Sequence, residues 1–144
     1  MRYESRMPIV YRVDSDKRRI LAEAAGAIGE QDLFAYQIDV GTRPEWAGYD
    51  ELLDVSHIDS LLDIRIDNLK ALAELAASMD KPDLPSKFAI VAPQDVYFGL
   101  GRMYESLRES VPHATRRANA FRTRADAERW LDAPVDEPAE AEIT

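Results

Sequence analysis

The chain has 144 residues, 46% of them apolar and 31% charged, the balance of a globular chain long enough to bury one core. It contains no cysteine, which excludes disulfides, thiolate nucleophiles and Cys-based zinc sites. Its net charge of -9 disfavours phosphate backbones and anionic lipid surfaces as partners.

The acid is unevenly spread. Residues 7–86 carry sixteen acids against eight bases, whereas residues 87–131 carry five against eight. The bases at Arg116, Arg117, Arg122, Arg124 and Arg129 read as a solvated strand and helix rather than a nucleic-acid surface. No apolar run reaches the ~18–20 residues that cross a bilayer. The first seven residues lack the apolar stretch of a signal peptide. A cytoplasmic protein is the expectation.

Residues 1–6 are expected to be flexible, because Met7-Pro8 offers a second start leading straight into a strand. Ile9, Tyr11 and Val13 alternate with Val10 and Arg12 in strand fashion. Asp14-Ser15-Asp16 supplies a turn, and residues 19–24 alternate again as the returning arm of a hairpin, ended by Gly26 and Gly29. Residues 30–40 read as a helix, with Glu30 and Asp32 in the first turn, where carboxylates oppose the positive helix end. A loop with Pro44 and Trp46 follows, then a short inner strand at residues 52–55.

Residues 56–60 are expected to be a connection, with Asp67 capping the next helix. Leu69, Leu72, Leu75, Ala76 and Met79 give that helix an apolar stripe, and Pro82 and Pro85 end it. Residues 88–92 are uniformly apolar, as in a strand buried on both faces. The third helix spans residues 95–110, with Val96, Leu100, Met103 and Leu107 along one expected stripe. Residues 117–121 form a weak strand near an edge. Thr123 and Asp126 then make a capping-box-like start for a short helix that buries Ala127, Trp130 and Leu131. Residues 132–144 read as a disordered acidic tail.

The order is β-β-α-β-α-β-α-β-α, an α/β domain over residues 7–131 with a mixed, mostly parallel sheet flanked by helices. It resembles the STAS-like fold of anti-sigma-factor antagonists, and more closely the bacterial SpoIIAA-like or STAS/SEC14 family. The hairpin Tyr11-Arg12-Val13 to Leu21-Ala22-Glu23, the strand end Leu53-Asp54-Val55-Ser56 and the run Val91-Ala92-Pro93-Gln94-Asp95 carry the resemblance. So do residues 98–105, and Phe121-Arg122-Thr123 through Trp130-Leu131. The resemblance implies a non-enzymatic module, acting through protein contact or as a homodimer, or else a carrier of a small apolar ligand of SEC14 type. A receiver-like doubly wound fold is the structural rival, but it would open β-α rather than with a hairpin.

Phosphorylation-switched STAS domains place a Ser of an Asp-Ser-Ser/Thr-Gly motif at the N-terminus of the second helix, where phosphate meets free backbone N–H groups. Asp59-Ser60-Leu61-Leu62 lacks the Gly, so Ser60 and Ser56 are candidate modification sites without the full pattern. Asp59, Asp63 and Asp67 recur every four residues and could share a helix face, but such acids also stabilise a helix start without a metal. No metal and no cofactor is expected. The turn Asp14-Ser15-Asp16 lacks the Gly and closing Glu of a calcium loop.

His57 and His113 are the only histidines, and no Gly-x-Ser-x-Gly elbow accompanies them. His57 is the better functional candidate, being expected where an inner strand ends. Gly99 and Gly101 sit inside the expected third helix, where each costs about 1 kcal/mol relative to Ala. They lie among Tyr97, Phe98, Met103 and Tyr104, and this helix is the leading candidate for a ligand or partner surface. An apolar-ligand carrier would need a cavity between it and the sheet, lined by Phe98, Met103 and Tyr104.

Overall fold

The computed structural model describes residues 2–4, 8–62, 64–112 and 114–134. Its six strands are β1 (Arg2–Glu4), β2 (Ile9–Asp14), β3 (Arg19–Gly29), β4 (Asp50–Leu62), β5 (Lys87–Val91) and β6 (Arg117–Phe121). Its helices are α1 (Glu30–Gly41), α2 (Ile66–Ser78), α3 (Asp95–Ser110) and α4 (Arg124–Asp132), with one 3-10 turn at Pro44–Trp46. The strands lie side by side in sequence order, β1-β2-β3 antiparallel and β3-β4-β5-β6 parallel. The mixed sheet expected from the sequence is the one that forms.

This order dictates where the helices go. Parallel crossovers are right-handed as a rule, so laying strands down in one direction puts α1, α2 and α3 on the same face, where they pack against one another in series. That face presents Ile20, Ala22, Leu53, Ile90 and Ala120. After β6 no strand follows, and α4 turns under the opposite face. There Ala127, Trp130 and Leu131 cover Leu52, Ala89, Val91 and Phe121, with the Phe121 and Trp130 ring centroids 5.4 Å apart. Both faces of β5 are therefore buried, which is why residues 88–91 are uniformly apolar. Thr123 caps α4 by accepting the Asp126 N–H, as the Thr-x-x-Asp spacing predicts.

Four expectations are corrected. Arg2–Glu4 pairs with Val10–Arg12 as β1, because the outer edge of β2 offers unpaired backbone groups. Asp132, expected in the tail, belongs to α4 and pairs with Arg19 at 2.8 Å; residues 135–144 lie outside the described residues. Residues 56–60 are not a connection but the continuation of β4. The N-cap of α2 is Arg65, two residues before Asp67, and no side chain caps that end.

β4 runs past the body of the sheet. β5 pairs only with Glu51–Asp54 of β4. Beyond Asp54, β3 and β4 continue alone as a parallel two-stranded ribbon with two register shifts, each adding one residue to β4. Opposite the second shift, Gly26 has φ +78°, a left-handed conformation that a side chain would strain. The first is held by Asp54, whose carboxylate accepts both the N–H (2.8 Å) and the hydroxyl of Ser56. Gln94 Nε2 donates to the Ser56 carbonyl at 2.9 Å.

The edge strand β6 is guarded. The Glu105 carboxylate, on α3, accepts the N–H of Ala120 and lies 3.3 Å from Arg102 Nε. This uses a donor that would otherwise invite a further strand. Burial pushes the Glu105 carboxyl above its usual 4.5, against the Ala120 N–H and Arg102, which pull it down. The native state therefore holds this proton more tightly than the unfolded chain, and stability falls as pH rises from about 4.5 towards neutrality. Glu105→Gln keeps an acceptor for Ala120 but removes the titration. Melting temperatures measured across that range are expected to fall less steeply with pH in the variant. Equal slopes would show that Glu105 does not contribute.

Candidate functional site

Between the three-helix layer and the sheet lies an apolar pocket of about 100 Å³, at the end where the parallel strands terminate. Its floor is buried carbon: Leu53 and Ile58 of β4, Ile90 of β5, Leu69 and Leu72 of α2. Leu33 and Tyr36 of α1 close one side. The half-buried Leu61, Ile64, Tyr97 and Leu100 form the rim. Two features of the fold create this space. The β3–β4 ribbon carries Ile58 and Leu61 beyond the sheet body to make a wall, and α3 supplies the opposite wall with Tyr97, Leu100, Gly101 and Tyr104.

Gly101 sets how closely α3 approaches. A Cβ built there would meet Ala120 Cβ at 3.0 Å and Ile90 Cγ2 at 3.7 Å, so the absent side chain lets the helix lie against β5 and β6. Tyr104 packs edge-on against Phe88, with ring centroids 6.0 Å apart, and burial pushes its hydroxyl up to about 12. Three polar side chains at the pocket are engaged within the protein. Tyr36 OH donates to Glu51 at 2.6 Å, and Gln37 Nε2 donates to Met79 Sδ at 3.5 Å. Tyr97 OH donates to the Asp59 carbonyl at 3.3 Å. Burial and the Glu51 carboxylate hold the Tyr36 hydroxyl well above its ordinary value, so it stays a neutral donor. The arrangement suits apolar contact rather than proton transfer or charge stabilisation.

Of the residues singled out in the sequence, Tyr97, Gly101 and Tyr104 line the pocket. Phe98 does not. Its ring lies under the Arg122 guanidinium, 4.2 Å from ring centroid to Cζ, with Arg102 at 5.9 Å. Met103 is half-buried and away from the pocket, and Gly99 faces open space with nothing within 4 Å of a built Cβ. The cavity expected against Phe98, Met103 and Tyr104 is thus built from a face of α3 rotated by one residue, about 100°. The buried positions are Gly101, Tyr104, Glu105 and Arg108, while Val96 is 62% exposed.

His57 is exposed on β4 opposite Ala25 and does not reach the pocket. Ser60, in β4, pairs with Ala27 of β3 and lies outside the first turn of α2, while Ser56 is tied to Asp54. Asp59 is exposed on β4 and Asp67 lies in the first turn of α2, so the two do not share a helix face; Asp63 and His113 lie outside the described residues. No group of three or more acids or histidines placed to hold a metal occurs among the described residues.

The ribbon residues Ile58 and Leu61 were missed in the sequence. Their three-residue spacing, produced by the second bulge, breaks the alternation by which strands are read.

No family model matches the chain, and no curated protein matches it. Among solved structures, it is similar to an uncharacterized protein from the DUF3478 family with a SpoIIAA-like fold, from Shewanella loihica PV-4. The two are 15% identical, with a TM-score of 0.56 over 90% of this chain and 98% of the other. At that identity the likeness is one of fold. No helix among the described residues is long and apolar enough to cross a membrane.

Proposed function

We propose that this SpoIIAA-like fold serves as a non-catalytic binding domain whose ligand is a small apolar molecule held between α1, α2, α3 and the β3–β4 ribbon. The observation that carries the proposal is the pocket itself. It is carbon-lined, rimmed by half-buried side chains, and placed where the parallel strands end, the edge at which open α/β sheets take ligands. An apolar ligand entering such a site displaces water from carbon and breaks no hydrogen bond already made by the protein.

A ligand that binds only the folded state raises its melting temperature by mass action. Thermal unfolding with toluene or hexan-1-ol is expected to show a concentration-dependent rise. The rise should be absent in Leu100→Trp, which fills the rim with the larger ring. Absence of any rise with the wild-type chain, up to the solubility of both probes, would overturn the proposal.

A second reading, contact with a protein partner or a second copy of the chain, is favoured by Ile66 and Val96. Both are 62% exposed, in the first turns of the two helices that flank the pocket.

A further inference from the structure

The pocket's dimensions narrow the class of ligand, an inference that rests on the binding function proposed above. Drug-sized ligands occupy pockets of about 300–1,000 Å³. An apolar protein cavity of about 150 Å³ accepts benzene and stays dry when empty. At about 100 Å³ the present pocket is smaller than either, but it opens at the Leu61, Ile64, Tyr97 and Leu100 rim, so a single ring can sit with one edge at the mouth. Its floor cannot readily recede to lengthen it. Leu53 and Ile90 are buried residues of the two central parallel strands, paired with one another across β4 and β5. Tyr36, on the α1 side, is pinned by its hydrogen bond to Glu51.

We infer that the site takes one compact uncharged apolar group, a single six-membered ring or an unbranched chain of at most about six carbons, and not a long acyl chain. Anything attached to that group lies at the rim, outside the pocket. The enclosed space is too small to hold a long-chain lipid whole. It fits recognition of a small aromatic or short-chain compound by its apolar end.

The test is a homologous series, butan-1-ol to dodecan-1-ol, with toluene and naphthalene added, each titrated against the full chain by isothermal calorimetry or ligand-observed NMR. Burial of each methylene is worth about a fourfold gain in affinity. The expected result is that gain up to about six carbons and a nearly flat response beyond, with naphthalene no tighter than toluene. Val55 of β4 also lines the pocket, and in Val55→Phe, whose larger side chain reduces the space, the break is expected at a shorter chain. Should Val55→Phe fail to fold, Leu100→Trp is the control, and it is expected to bind none of the series.

A gain that continues at the same rate through twelve carbons overturns the size limit while leaving the pocket as a binding site. Tighter binding of naphthalene by a comparable factor does the same. Binding by none of the probes overturns the binding function itself.

Discussion

Asp80→Ala is expected to destabilise the protein by about 3–5 kcal/mol, because it strands a buried cation. Arg108 is 1% exposed, and its Nη2 donates to both carboxylate oxygens of Asp80, at 3.0 and 3.2 Å. Its Nε and Nη1 meet no acceptor among the described residues. The same carboxylate accepts the N–H groups of Thr115 (2.8 Å) and Arg116 (3.0 Å), joining the end of α2, the buried face of α3 and the segment entering β6. Removing it leaves a guanidinium uncompensated and two amides unpaired at once.

Urea unfolding at constant m is the measurement. Adding Arg108→Met to Asp80→Ala should restore part of the loss, giving a coupling of about 1–3 kcal/mol in the double-mutant cycle. A loss below about 1 kcal/mol for Asp80→Ala would place the pair among ion pairs that contribute little.

The second large effect is expected at Lys87. This residue is 1% exposed, and its ammonium donates to the carbonyls of Trp130 (2.7 Å), Ala133 (2.7 Å) and Pro134 (3.1 Å). These are the last carbonyls of α4 and the residues just past it, which a helix leaves without internal partners and where its dipole is negative. The ammonium also lies 5.2 Å from the centroid of the Trp130 ring. Lys87→Met retains the aliphatic length but leaves carbonyls unpaired at about 1–3 kcal/mol each where they are buried. A loss of about 2–4 kcal/mol is the expectation.

The loss should be local in its first expression. Hydrogen exchange at the amides of Trp130 and Leu131 should accelerate more than exchange at β5, since α4 would open before the sheet does. Uniform acceleration across both elements would show that Lys87 stabilises the fold as a whole rather than the docking of α4.

These two residues show why the polar framework was not legible in the chain. Lys87 opens an apolar strand and Arg108 lies near the end of a helix, and both types usually face water. Their partners are forty-three to forty-seven positions away for the Lys87 ammonium and twenty-eight for Arg108 and Asp80. Hydrophobic periodicity records which side chains avoid water, not which buried charges find one another. The same limit explains α3. Val96, Leu100, Met103 and Leu107 form a plausible apolar stripe, yet the buried face is one residue round. Gly101 offers the closest approach, and the Glu105 and Arg108 beside it are satisfied by Ala120 and Asp80.

Much else followed from local pattern. The opening hairpin, the bounds of α3, the helical stripe of α2, the doubly buried β5 and the Thr123 cap with its Ala127, Trp130 and Leu131 face are all short-range signals: alternation, turn residues, caps and 3.6-residue spacing. The sequential order of strands joined by helices, with right-handed crossovers, then leads to the mixed sheet of the SpoIIAA-like fold.

The pocket needed the tertiary structure. Its far wall is the β3–β4 ribbon, where two bulges shift the phase of β4 and make Ser56, His57 and Asp59 read as a loop. The glycine- and aromatic-rich α3 stood out in the sequence, since a chain keeps Gly inside a helix only against a cost in stability. Which of its residues face the pocket was decided by contact with β5 and β6. That contact joins residues distant along the chain, and periodicity within one helix carries no information about it.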